Sequence, residues 1–170
     1  WEQHRRLAAL DTAMLARSGP YAPEVALVLD EDSLVHLAGG SAPVARPLVY
    51  DARSAFGRSG APYGQYLLAD VVAGRVPSRL QVHLSSWSLP AAWRQALAAG
   101  PAPGVTRVWA YAPDAIAPDG IRPERENLVH GFSLRVRSGD SARATPTAAG
   151  QALGIGAPWG QTGGAKPCYT

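Results

Sequence analysis

A chain of 170 residues has the length of one domain, or of one domain with an appendage, and can bury a core without disulfides or metals. At 46% hydrophobic and 17% charged residues it is too apolar for intrinsic disorder, and none of its apolar runs approaches the roughly 20 residues of a membrane span. The +3 net charge comes from 15 scattered arginines and Lys166, whose densest spots, Arg5-Arg6 and Arg122, Arg125 and Arg135, are diluted by Glu2, Asp11, Glu124 and Glu126, so no nucleic-acid face is expected.

Residues 2–18 place Leu7, Leu10 and Met14, with Ala8 and Leu15, at spacings of three and four, which predicts an amphipathic helix ended by Gly19-Pro20. Residues 24–29 form a continuous apolar run of strand length. It gives way to Asp30-Glu31-Asp32-Ser33 and then to Leu34, Val35 and Leu37, the pattern of a buried parallel strand feeding a helix. Residues 47–57 predict a second helix, with Leu48, Ala52, Ala55 and Phe56 on one face and Gly57, Gly60 and Pro62 at its end. A short strand over 63–68, a strand over 79–84, a helix over 90–99 opened by Pro90 and closed by Gly100, and a strand over 106–111 follow. Residues 126–130 could add a helical turn, and 132–136 alternate as an edge strand.

Strands alternating with helices of about ten residues predict a flavodoxin-like α/β fold: three layers around a doubly wound, mostly parallel sheet. From residue 138 the texture changes. Seven Gly, three Pro and only three charged residues fall in the last 33 positions, so 1–137 is expected to be the α/β domain and 138–170 a Gly/Pro-rich extension or edge strand leading toward a further domain. The chain opens on Trp1 with neither an initiator Met nor a leader pattern, which suggests a segment of a longer polypeptide.

In open parallel sheets the functional crevice lies at the carboxyl ends of the strands. Asp30-Glu31-Asp32 there could bind a metal or act as an acid/base pair, although an N-cap followed by acids in the first helical turn is the favoured assignment. Ser85, Ser86 and Ser88 follow the third predicted strand without the flanking glycines of a Gly-x-Ser-x-Gly elbow, so a polar loop is expected. Cys168 lies in the tail with no base nearby, and His4, His36, His83 and His130 lack zinc-site spacing; no metal and no cofactor are expected. The run from Gly154 to Gly160 neither follows a first strand nor opens a helix, so it is no dinucleotide loop. Trp93 and Trp109 are assigned to the core, and Trp87 and Trp159, in loops, to the surface.

Four stretches occur in a characteristic order: PEVALVLD at 23–30, RSAFGRSGAPY at 53–63, YLLADV at 66–71 and VWAYAP at 108–113. Together they resemble the glutamine-amidotransferase-like domain that follows the catalytic barrel in β-galactosidase-type glycoside hydrolases, called the trimerisation domain in family 42. The resemblance spans about residues 7–136. It implies a class I amidotransferase-like domain without amidotransferase chemistry, since no Cys occupies the turn at Ala112-Pro113-Asp114-Ala115. It also implies packing beside a barrel of the same chain that carries the catalytic carboxylates, and subunit contacts in a homo-oligomer. Two other functions remain open: a carbohydrate-binding module using Trp87, Trp159, Tyr63 and Asp30, and a divergent amidotransferase-like or serine hydrolase. If a ligand site exists, Asp30, Arg53, Tyr63, Gln65 and Asp70 are its candidates, because they flank the first two strands in the motif-rich stretch; no catalytic residue is nominated.

Overall fold

In the computed structural model of the chain, residues 1–17, 22–36, 45–126, 129, 136–137, 141–152, 154, 156, 159–162 and 168–169 are described. Helix α1 (Glu2–Arg17) comes first, then β1 (Val25–Leu29) and the single turn α2 (Glu31–Leu34). The predicted second helix divides into a π-helical stretch, Arg46–Asp51, and α3 (Ala52–Arg58). Next come β2 (Tyr63–Leu67), α4 (Leu68–Val72), β3 (Leu80–His83), α5 (Ala91–Ala98) and β4 (Thr106–Trp109).

The four strands form one sheet in the order β2-β1-β3-β4, all parallel. That is the flavodoxin-like winding, with the reversal of strand order between β1 and β3. Central β1 needs apolar side chains on both faces, and VALVL supplies them. Ala26 and Val28 pack with Leu68 and Val71 of α4 and Leu97 of α5, whereas Val25 and Leu27 pack with Val82, Leu84 and, from α3, Ala52 and Phe56. Helices thus cover both faces. Gly64 on β2 is required by close approach: a Cβ there would lie 2.8 Å from the Tyr66 ring and 2.9 Å from Pro23.

Beyond β4, two short hairpin strands, β5 (Ile116–Ala117) and β6 (Gly120–Ile121), precede a 3-10 turn, Pro123–Glu126. At the end of the expected α/β domain β7 (Val136–Arg137) pairs antiparallel with β10 (Cys168–Tyr169) of the expected extension, and within that extension β8 (Ser141–Ala144) pairs with β9 (Trp159–Thr162). A further turn of helix, α6 (Ala148–Ala152), lies between the last two. The composition of 138–170 hides these elements because Gly and Pro lower strand propensity without forbidding antiparallel pairing. The Gly19-Pro20 stop and most of 126–135 lie outside the described residues. Among the described residues no helix is long and apolar enough to cross a membrane.

Candidate functional site

The crevice of a doubly wound sheet opens where the strand order reverses, here between the carboxyl ends of β1 and β3. Asp30 follows β1 and Ser85 follows β3. They are joined directly: the Asp30 amide donates to Ser85 Oγ at 2.9 Å, and Ser85 Oγ donates to the Asp30 carbonyl at 3.2 Å. Asp30 occupies the N-cap position of α2, and Ser33, one turn on, donates its hydroxyl to Asp30 Oδ2. Ser33 Oγ also accepts the backbone amides of Trp87 and Ser88, each at 2.9 Å. One hydroxyl offers one donor and two acceptor positions, so Ser33 is saturated. Asp30, Ser33, Ser85 and Ser86 are all buried.

Burial is the main influence on the Asp30 carboxyl and holds its pKa above the ordinary value, against the hydrogen bonds from Ser33, which pull it down. A carboxyl whose folded pKa is raised binds more protons folded than unfolded, so its contribution to stability is fullest below about 3.8 and is lost as pH rises through the folded value. Asp30→Asn keeps an acceptor for Ser33 and cannot ionise. It is expected to unfold at higher urea than the parent at pH 7, with the advantage vanishing by pH 3.5; an advantage independent of pH would refute this reading of Asp30.

A second polar cluster holds the far side of the crevice, and sequence reasoning missed it. After β4 the backbone turns sharply, with Ala112 at φ 28° and Asp114 at φ 56°, both in the left-handed region. Asp114 is fully buried. Its Oδ1 accepts the Leu89 amide at 2.9 Å, Arg94 Nη2 at 3.1 Å and Arg125 Nη2 at 2.8 Å, and its Oδ2 accepts Arg94 Nε. The same cations bind carbonyls: Arg94 Nη2 that of Leu89 at 2.9 Å, and Arg125 Nη1 that of Ile116 at 3.2 Å. The hydrogen bonds with Asp114 raise the Arg94 pKa. The available signal was Pro113-Asp114 at the end of a predicted strand, where a buried acid demands cations from elsewhere in the chain.

His83, the last residue of β3, is buried against Trp109 with ring centroids 4.1 Å apart. Its Nδ1 lies 3.4 Å from Ser86 Oγ, while Nε2 has no hydrogen-bond partner. Burial, reinforced by the nearby Arg107 charge, pushes its pKa down to about 3. A neutral, buried imidazole without an orienting carboxylate is a poor base for a serine that is itself 2% exposed.

The five nominated residues do not line one crevice. Parallel pairing sets Tyr63 beside Val25 and Gln65 beside Leu27, so Tyr63 starts β2 at the end opposite Asp30. Arg53 reaches Gln65 at 3.5 Å, donates to the Val49 carbonyl at 2.8 Å and lies over the Tyr50 ring. Asp70 caps α4, accepting the Leu67 amide at 3.2 Å, and binds Arg75 at 2.8 Å. Trp87, assigned to the surface, is only 2% exposed, because its backbone is fastened on both sides, by the Ser33 hydroxyl and by the Ile116 amide. Trp93 and Trp109 pack, half-buried, against the core as expected. Beside Asp30 the surface holds a depression of about 50 Å³ between Asp30–Asp32, Leu67–Ala69 and Trp93. Among the described residues no three His, Cys, Asp or Glu side chains cluster as metal ligands would.

Compared with known proteins, the sequence matches no protein family and no curated protein. The structure is similar to that of a β-galactosidase from Bifidobacterium adolescentis, at 19% identity and a TM-score of 0.49. The similarity covers 70% of this chain and 64% of that one, under two thirds of its length.

Proposed function

We propose that this chain is a noncatalytic accessory and assembly domain of a β-galactosidase-like glycoside hydrolase, packing beside a catalytic barrel of the same polypeptide and related to class I glutamine amidotransferases without their chemistry. The observation that carries the proposal is the closure of the crevice. The polar groups which a doubly wound enzyme presents to its ligand are here bonded to one another: Asp30 to Ser33 and Ser85, Ser33 to two backbone amides, and Asp114 to two arginines. The left-handed turn that follows β4 carries Ala112 and Asp114 and no nucleophile. The order of the four sequence stretches supplies the hydrolase context.

A carbohydrate-binding role draws little support from the depression beside Trp93. Its volume of about 50 Å³ has room for one or two waters, whereas ligand pockets run to roughly 300–1,000 Å³. The test mixes the chain with a separately produced barrel domain of a β-galactosidase-like hydrolase containing it. A stoichiometric complex by light scattering is expected, together with no turnover of aryl esters, glutamine or aryl galactosides by the chain alone. Turnover abolished by Ser86→Ala, or heat on titration with galactosides, would replace this reading with the hydrolase or the binding module respectively.

A further inference from the structure

The two faces of the sheet are not covered to the same extent. On the face of Ala26 and Val28, α4 and α5 reach as far as Trp109 of β4, and Arg107 donates to the Leu97 carbonyl of α5 at 3.0 Å. On the face of Val25 and Leu27, α3 packs over β1 and its neighbours, and the cluster includes no residue of β4. The register sets Thr106 beside Leu80 and Val108 beside Val82 on this second face, and the ladder continues one residue further, where the Ala110 amide donates to the His83 carbonyl at 2.9 Å. Thr106, Val108 and Ala110 are all exposed, Val108 at 44%, while Arg107 and Trp109 between them are half-buried. An α/β sheet is stable with both faces covered, and this row of about 13 Å is open.

The chain carries a second open row of matching length. On α1, Leu7, Leu10 and Met14 are 64%, 60% and 70% exposed; they fall within an arc of about 60° and span about 10 Å of the axis, with Thr12 on the opposite side of the helix. Neither row holds a charged residue, so bringing them together buries no ion. The connection is long enough. Pro23 is fully buried and anchors the chain just ahead of β1, and the six residue steps from Arg17 to Pro23 reach up to about 20 Å. Strand β4 lies two strands from β1, about 10 Å away, and a helix rides about 10 Å above a sheet, so about 14 Å is needed. That connection also fixes the direction: Arg17 lies at the amino ends of the strands and α1 runs antiparallel to them. We propose that α1 is a strap that closes onto the open face of β4 in its own chain, laying Met14, Leu10 and Leu7 along Thr106, Val108 and Ala110.

A short tether gives α1 an effective concentration at this face in the millimolar range, which a separate molecule at micromolar concentration does not match. The strap therefore controls what the face can do. Raised, as in this structure, it leaves both rows open to a partner; closed, it withdraws both. This goes beyond the accessory role, which requires a surface for a neighbouring domain but not a chain segment that opens and shuts one.

Hydrogen exchange of the whole chain, read peptide by peptide in a mass spectrometer, tests the strap. A helix of 16 residues is marginal in water by itself, so its amides are well protected only when it is docked. At about 5 µM the amides of residues 7–16 are expected to exchange at least about tenfold more slowly than in the free peptide, with the same protection at about 100 µM. Leu10→Lys on the helix and Val108→Glu on the strand should each remove most of that protection, and Thr12→Lys, on the far side of α1, should leave it. Amides of β1 should stay protected in every variant, which shows that the sheet is intact; Thr106→Lys repeats the strand test from a second exposed position.

Exchange of α1 at the rate of the free peptide would overturn the inference, and so would protection indifferent to both strand substitutions. Protection that grows with concentration would assign the stripe to a second copy, and protection that appears only on adding a barrel domain would assign it to the barrel; either result ends the strap. The two proposals fail separately. The accessory role stands or falls on light scattering with the barrel present, and the strap on exchange with the barrel absent.

Discussion

Replacing Asp114 by alanine is expected to be the most damaging substitution of a polar residue, lowering stability by about 3–5 kcal/mol in urea unfolding, with the slope unchanged. The reason is the number of groups that depend on one carboxylate. Arg94 and Arg125, each about one-fifth exposed, would lose the carboxylate they share, and the Leu89 amide its acceptor. Alanine would also have to hold φ 56°, in a left-handed region that Asp enters more readily than Ala. The cation substitutions order the effects. Arg94→Met removes a two-point contact made through Nε and Nη2 and should cost more than Arg125→Met, which leaves that contact in place. A loss below about 1 kcal/mol for Asp114→Ala would mean that water replaces the carboxylate, and that this turn is open to solvent rather than a sealed part of the crevice.

The same residues show what a sequence reveals about such a fold. Strand β1 is legible because burial on both faces leaves an uninterrupted apolar run, and β2, β3 and β4 because Pro62, Pro77 and Gly104 punctuate the chain shortly before each of them. Direction is not legible at the level of side chains. Tyr63 and Asp30 both flank strands in the motif-rich stretch, yet parallel pairing of Val25 with Tyr63 and Leu29 with Leu67 sets them at opposite ends of a five-residue strand pair, roughly 16 Å apart along the sheet. The surface assignment of Trp87 fails for a related reason: position in a loop says nothing about what closes over it, and the Ser33 hydroxyl that fastens it is 54 residues away. The Arg94–Asp114–Arg125 cluster likewise joins α5, the turn after β4 and the 3-10 turn, which no local spacing encodes. The exposed face of α1 is the converse case. Its periodicity predicts the helix correctly, but a helical pattern states only that something covers the stripe, and in the described structure the chain's own sheet does not.

His83 gives the second large effect, and it is one of pH. In the folded chain the imidazole resists protonation down to about 3, because a cation at Nε2 would be buried without a partner and close to Arg107. In the unfolded chain it takes up a proton near 6.5. Between those values the unfolded state binds more protons than the folded one, so stability is fully present above about 6.5 and falls steadily as the solution is acidified toward 3. At about 1.36 kcal/mol per unit, acidification from pH 7 to pH 4 should cost roughly 3 kcal/mol through this one residue. Asp30 acts in the opposite sense over the narrower window above 3.8, where its raised pKa returns part of that loss. The two are separable by substitution. His83→Phe preserves an aromatic ring against Trp109 and cannot titrate, so its stability should vary far less between pH 7 and pH 4, while Asp30→Asn should fall more steeply than the parent over the lower part of that range. Parallel acid limbs for the parent and His83→Phe would show that His83 is protonated in the folded chain. The imidazole would then have an acceptor at Nε2, and this end of β3 would be open enough to hold a ligand.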